Sequence, residues 1–328
     1  MSQRVVVTGG TGFIGSYLVR RLVRDGWNVG VVDTSVRGDL GRLAPVADDI
    51  ELFSCDVRDE DSLVHAFTGA EVVMHLAAIN GTENFYKHPE LVLDVGIRGA
   101  IAVVNAGRSA GVPNLVAASS AEVYQTPAVV PTSEDISLTL PDSLNPRYSY
   151  GGSKIATELI CFNYAQEHYR SVQVFRPHNV YGPDMGRKHV IPQFILRAAA
   201  EYDSEHGLPV PFPIQGDGSE TRAFCFVEDI VDGILAMYAR GGHREVFHIG
   251  NDEEVTIGDL ARRVGKQVGV ELDILPGAAP EGGTPRRCPD ISKMRALGYQ
   301  PAVSLDEGLE RTVAWYLDNR NDVANALI

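Results

Sequence analysis

The sequence predicts an α/β fold, a doubly wound parallel sheet followed by a smaller α/β domain. Three observations point to it. Short β-branched runs alternate with amphipathic stretches through the first half, a glycine-rich turn joins the first run to the first amphipathic stretch, and Pro- and Gly-rich segments with shorter helices take over after Gly182-Pro183. Alternation of this kind builds a parallel sheet covered on both faces.

In chain order, Arg4–Thr8 reads as a strand, Gly15–Asp25 as a helix and Asn28–Asp33 as a second strand. Glu51–Cys55, Val72–Leu76 and Asn114–Ala118 have strand character, and Leu91–Gly107 is a helix between the last two. The continuous apolar run Val5-Val6-Val7 fits a strand buried on both faces. Gln125–Pro146, rich in Pro, Ser and Thr, reads as a surface loop, Tyr150–Tyr169 as a helix, and Ser171–Phe175 as a strand closed by Pro177. Beyond it, Gly258–Val268 and Leu305–Tyr316 are amphipathic. The expected division is a first domain of residues 1–183 plus about 223–250, where Val246–Ile249 has strand character, and a second of 184–222 and 251–328. There is no internal repeat.

Composition excludes several classes. Hydrophobic residues make up 44% and charged residues 22% of 328, enough to bury a sizeable core. A net charge of −14 argues against nucleic-acid or membrane-surface partners, which need a basic footprint. Apolar runs fall short of the roughly 20 residues that span a bilayer, and no basic, then apolar, leader opens the chain, so a cytoplasmic protein is expected. Cys55, Cys161, Cys225 and Cys288 form no CxxC pair; they read as reduced, mostly buried thiols, with no metal site.

Thr8-Gly9-Gly10-Thr11-Gly12-Phe13-Ile14-Gly15 follows the first strand and opens the first helix. Glycines 9, 12 and 15 leave room for a pyrophosphate, and a helix start offers unpaired N–H groups and a positive dipole end. In this context the turn predicts a Rossmann-type dinucleotide site, with Phe13 and Ile14 in its wall. Asp33, at the end of the second strand, suits the adenosine ribose hydroxyls and repels a 2′-phosphate, favouring NAD over NADP, although Arg37 lies nearby. Asp56, followed by Val57, either meets the adenine amino group or caps the next helix. Leu76, Ala77 and Ala78 are small or apolar residues at a strand end, where backbone can approach the cofactor.

Tyr150 and Lys154 stand at i and i+4, on one helical face. An ammonium beside a phenol favours the phenolate and makes a general base. Ser120, just past a strand end, can hold the substrate oxygen that loses its proton.

With these motifs the chain resembles the extended short-chain dehydrogenase/reductases, in particular the nucleotide-sugar epimerase/dehydratase group, over nearly its whole length. The resemblance is carried by TGGTGFIG from Thr8, SSAEVY from Ser119, the Tyr150/Lys154 pair, Arg176-Pro177-His178-Asn179-Val180-Tyr181-Gly182-Pro183, Thr221-Arg222-Ala223-Phe224, Val227-Glu228-Asp229 and Arg287-Cys288-Pro289-Asp290. It implies that Tyr150 is the base, that Lys154 binds the nicotinamide ribose, that Ser120 orients the sugar hydroxyl, and that Asn179, Arg222 and Arg287 contact a nucleotide-diphosphate sugar held by the second domain. Arginine's planar fork suits phosphate; Arg286 reads instead as a surface residue. The resemblance also implies a homodimer built on Leu91–Gly107 and Tyr150–Tyr169.

Departures bear on the reaction. His178 stands where the family often has Phe, Gly96 where it often has Asn, and Gln125 where it often has Gly, while Ala198–Pro213 is longer than usual. Sugar 4,6-dehydratases resembling this chain pair Asp with Glu; here Ala121 precedes Glu122, and Ala121 cannot protonate a leaving hydroxyl. Glu122 is a candidate base at C5. The expectation is a 4-epimerase that recycles NAD through a 4-keto sugar. A uronate decarboxylase comes second, a C5 epimerase or dehydratase third, and a non-catalytic dinucleotide sensor is the remote alternative.

Overall fold

A computed structural model describes residues 3–203, 209–278 and 284–320. Its first part runs β1 (Arg4–Thr8), α1 (Phe13–Arg24), β2 (Asn28–Val32), β3 (Ile50–Phe53), α2 (Glu60–Phe67), β4 (Val72–His75), α3 (Thr82–Lys87), α4 (Pro89–Ser109), β5 (Asn114–Ala118), α5 (Ser149–Tyr164) and β6 (Ser171–Pro177). The rest runs β7 (Val180–Tyr181), α6 (Val190–Asp203), β8 (Val210–Pro213), β9 (Thr221–Ala223), β10 (Cys225–Phe226), α7 (Val227–Arg240), β11 (Glu245–Ile249), β12 (Glu254–Thr256), α8 (Ile257–Val268), β13 (Leu272–Leu275), β14 (Arg286–Arg287), α9 (Ser292–Ala296) and α10 (Leu305–Asp318).

Seven strands form one sheet in the order β11-β6-β5-β4-β1-β2-β3, every pair parallel. Because side chains alternate across a strand, Val5 and Val7 enter the core on one face of the sheet while Val6 enters the core on the other. Both faces are therefore dry, and helices cover both. The α/β fold with a doubly wound parallel sheet is as the sequence predicts. A third core, around Phe194, Phe212, Leu260 and Tyr316, fills the smaller α/β region. Glu245–Ile249 pairs with β6 and so adds the last strand to the main sheet.

Several expected boundaries shift. The first helix starts at Phe13, inside the glycine turn, because Gly12 takes the cap position. The fourth begins at Pro89, whose fixed φ suits a first helical turn. The helix expected to reach Tyr169 ends at Tyr164; Tyr169 instead reaches back from a turn, its hydroxyl donating to the Val104 carbonyl at 2.8 Å. Pro177 is the last residue of β6 and does not close it earlier. Gln125–Pro146 is only partly a surface loop: Gln125 and Thr132 are buried, and Thr132 pairs through its backbone with Cys288 and Asp290. In the long segment Ala198–Pro213, α6 and β8 form the two ends, and 204–208 lies outside the described residues.

Gly96 has a packing role. A Cβ there would lie 2.7 Å from the Cβ of Ser153, so the missing side chain lets α4 close on α5 beside Lys154, and the Gly96 carbonyl accepts from Thr157 Oγ1 at 3.4 Å. Among the described residues, no helix is long and apolar enough to cross a membrane, and no group of three or more His, Cys, Asp or Glu is placed to hold a metal ion. None of the four cysteines forms a disulfide, and three are buried.

Candidate active site

The site lies at the carboxyl ends of the strands, where an open parallel sheet leaves a crevice. Gly9 has φ +75°, and a Cβ on it would lie 2.7 Å from the Ala77 nitrogen, so the turn can touch the end of β4 only as glycine. A Cβ on Gly15 would collide with the Gly9 carbonyl oxygen. Gly12 caps α1 without any side-chain hydrogen bond, which leaves the start of a twelve-residue helix facing the crevice. Thr11 Oγ1, buried beside it, has no partner. Asp33 folds over this turn: its carboxylate accepts from Thr11 N at 3.0 Å and Ser35 N at 2.8 Å. A bare helix start, an orphaned hydroxyl and a carboxylate at the end of β2 together fit a dinucleotide that carries ribose hydroxyls. Phe13 and Ile14 are half-buried in the same wall, as are Leu76, Ala77 and Ala78 just past β4.

Asp56 and Val57 stand differently. Asp56 forms a fork with Arg58, at 2.6 Å between Oδ2 and Nη2, which holds its carboxyl below the usual range. It is not the helix cap; Asp59 is, accepting from Ser62 N at 3.2 Å. The Val57 side chain is buried where a Cβ on Gly99 would approach it to 2.9 Å.

Helix α5 carries Tyr150 and Lys154 into the crevice. Lys154, 3% exposed, donates from Nζ to the Ala118 carbonyl at 2.8 Å, and Nζ lies 5.7 Å from the centre of the Tyr150 ring. Burial pushes its pKa down to about 8. Burial pushes the Tyr150 phenol up to about 12, opposed by the adjacent Ser120 hydroxyl. Thus the structure brings Ser120, Tyr150 and Lys154 together. A positive charge delivered to this pocket would favour the phenolate. His75, at the end of β4, is held neutral by burial, near pKa 3, and hydrogen bonds Thr8 Oγ1 at 2.7 Å.

Two facing arginines come from the smaller region. Strands β9 and β14 run in parallel with Arg222 opposite Arg287. Burial first, and then Arg287, lowers the Arg222 pKa. Arg287 Nε is buried without a partner, while Nη1 pairs with Glu122 Oε1 at 2.6 Å. Glu122 N in turn donates to Ser120 Oγ at 3.1 Å, so the charge pair is tied directly to Ser120. Asn179, at φ +38°, donates to the Ala223 carbonyl at 2.9 Å. Arg286 turns outward to Glu254, as expected of a surface residue.

The sequence reading missed several groups. Phe85 of α3 stacks on the Tyr150 ring at 5.2 Å and 13°. Beneath the site lies a buried network: Arg176 pairs with Glu158 at 2.6 Å, both about 5% exposed or less, and Ser119 Oγ donates to Glu158 at 2.5 Å. Arg176 also reaches Tyr124, whose hydroxyl meets His248 Nε2 at 2.6 Å. Glu158, four residues after Lys154, carried a signal as the next position on the same helical face, and Ser119, Tyr124 and Arg176 lay inside the quoted motifs without a role assigned to them. His178 is 1% exposed, its two ring nitrogens have no partner, and it packs edge-on against His248 at 4.7 Å. Gln125 takes φ +54°, a conformation glycine would adopt freely, and its side chain donates to the Glu122 carbonyl at 2.5 Å.

A sequence profile of the NAD dependent epimerase/dehydratase family matches residues 5–250. A UDP-N-acetyl-alpha-D-glucosaminuronate decarboxylase of Bacillus cytotoxicus is 30% identical over 98% of this chain and 100% of its own length. A crystal structure of UDP-glucose 4-epimerase with UDP-glucose, from Thermotoga maritima, superposes with a TM-score of 0.86 at 27% identity, covering 97% of this chain and 100% of that one. A crystal structure of a dTDP-glucose 4,6-dehydratase double mutant from Streptomyces venezuelae, with NAD and DAU bound, gives 0.85 at 29% identity, covering 97% and 98%.

Proposed function

The chain belongs to the NAD dependent epimerase/dehydratase family, and within it we propose that the protein is a nucleotide-sugar 4-epimerase. Membership makes it an NAD-dependent enzyme that modifies nucleotide sugars, but relatives of similar identity divide among epimerases, decarboxylases and dehydratases. The observation that favours the epimerase is the Glu122–Arg287 pair at 2.6 Å beside Ala121. The Glu122 carboxylate is already engaged by the Arg287 guanidinium, and alanine has no proton to give. Among the described residues of the site this leaves one proton-transfer couple, Tyr150 with Lys154, and no unpaired acid placed beside it to expel a C6 hydroxyl.

On this reading Arg222 and the unpartnered Nε of Arg287 hold the diphosphate while Arg287 Nη1 keeps Glu122, and Asn179 steadies the sugar. Ser120 hydrogen bonds the C4 oxygen, and Tyr150 takes the C4 hydroxyl proton as C4–H leaves as hydride. NAD supplies the hydride acceptor and, on return, the donor. The 4-keto sugar turns over, Tyr150 gives its proton back to the C4 oxygen, and the configuration at C4 is inverted. Lys154 keeps positive charge at Tyr150, and Phe85 covers the phenol against water. The reading includes a homodimer on α4 and α5, where Leu91, Leu93, Leu159 and Tyr164 are exposed.

A uronate decarboxylase is the second reading, favoured by the two facing arginines, which also suit a substrate carboxylate. Incubation with UDP-, GDP-, dTDP- and CDP-sugars and uronates, with products read by NMR, separates the two. C4 epimers support the proposal; carbon dioxide release from a uronate overturns it in favour of the decarboxylase.

A further inference from the structure

Arg37 and Arg42 lie after β2, close to Asp33, where basic residues would suit a 2′-phosphate. The structure turns both elsewhere. Arg37 Nη1 donates to the Asn80 carbonyl, and Nη2 lies 3.4 Å from where a Cβ of Gly81 would stand, in the turn after β4. Arg42 grips Asp184 with both arms of its fork, at 2.8 and 2.9 Å, and donates to the Asp184 carbonyl at 3.0 Å and the Thr11 carbonyl at 3.2 Å.

Asp184 belongs to the connection 182–189 between β7 and α6. At one end, a Cβ on Gly182 would lie 3.5 Å from the Phe13 ring, at the open start of α1. At the other, Lys188 pairs with Glu83 on α3, the helix after β4. Tyr17 and Tyr316 hold the middle through the carbonyls of Pro183 at 3.3 Å and Gly186 at 2.7 Å.

Sheet order gives these contacts their meaning. β2 and β4 flank β1 on either side. The connection is tied to the β2 side by Arg42 and to the β4 side by Lys188, so it crosses the carboxyl end of β1, over the glycine turn. Arg37–Asn80 makes a second tie between the same two walls. The result is a closed ring of backbone and ion pairs around the place where the turn and helix start suit a pyrophosphate.

We infer that the connection 184–189 is a strap that keeps the dinucleotide in place between turnovers, with Arg42 and Asp184 as its latch. They are positioning residues for the cofactor. Their pair is the better shielded, with side chains 15% and 30% exposed against 76% and 41% for Lys188 and Glu83, so water and salt weaken it less. The inference deepens the proposed function, since a reaction that returns its hydride to the same sugar needs no cofactor exchange.

The test is the exchange of isotopically labelled NAD into the purified full-length holoenzyme, read by gel filtration alongside the thermal midpoint. Wild type exchanges NAD far more slowly than it turns over. R42A speeds exchange at least about tenfold, the loss expected for a charged, two-pronged contact. R42K, which keeps the charge but not the fork, falls between, and D184N, still suited to its φ of +61°, follows R42A. Fast exchange in wild type, or wild-type exchange in folded R42A and D184N, overturns the strap; if R42A does not fold, D184N and K188A decide. Slow exchange without C4 inversion sinks the epimerase reading and leaves the strap standing, and fast exchange with C4 inversion does the reverse.

Discussion

Replacing Lys154 with methionine should make the protein more stable and inactive. The ammonium is 3% exposed, and burial lowers its pKa from 10.5 to about 8. A fall of that size corresponds to about 3 kcal/mol of folding free energy lost by keeping the side chain charged. Methionine has similar length and no charge, but it forfeits the 2.8 Å bond to the Ala118 carbonyl, which costs about 1 kcal/mol. The net expectation for K154M is a gain of about 2 kcal/mol at neutral pH. The sign follows from linkage. Between pH 8 and 10.5 the unfolded chain binds the proton that the folded chain has released, so wild type gains stability as pH rises through that window. The advantage of K154M is therefore complete below about pH 8 and by about 10.5 has given way to the roughly 1 kcal/mol deficit of the lost hydrogen bond. Urea unfolding of the cofactor-free proteins across pH 7 to 11 measures it. A K154M protein less stable than wild type at neutral pH, or a difference flat with pH, refutes the claim that this cation is held in a dry site at a cost. Turnover should vanish in the same variant, the usual exchange of stability for function at a strained site.

Other expectations rest on separate contacts. Y150F should lower kcat at least about 100-fold with NAD still bound, the usual range for a lost general base; near-normal turnover on an identified substrate would remove Tyr150 from its role. D33A should weaken NAD about tenfold or more, by the loss of charge-assisted hydrogen bonds, and NADP much less, which titration with both cofactors measures. E158Q should destabilise the fold by about 3–5 kcal/mol, because Arg176 would remain buried without its counter-ion; denaturant unfolding checks this, and a small change would mean water replaces the carboxylate.

What could be read ahead of the structure was local. The glycine turn, the strands on either side and the i, i+4 pair of Tyr150 and Lys154 each fit within one element or one turn, and backbone sterics and helix geometry fix them. Groups brought in by sheet order were invisible. Phe85 lies on Tyr150 only because β4 and β5 are neighbours, and Arg37 crosses to Asn80 because β2 and β4 both border β1. Glu122 could be named as a candidate base, but its pairing with Arg287 depends on β14 lying beside β9, which no local pattern shows. Tyr169 misled for a related reason: an apolar position in step with a helix can also be filled from a turn.

The most direct measurement follows deuterium at C4. A nucleotide sugar labelled there, turned over by holoenzyme in ordinary water with unlabelled NAD in excess, should yield the C4 epimer with the label still on C4. Loss of the label to solvent or to the free NAD pool, or a product with C4 unchanged, would contradict a site in which Tyr150 exchanges only the hydroxyl proton and a captive cofactor would return the same hydrogen to C4.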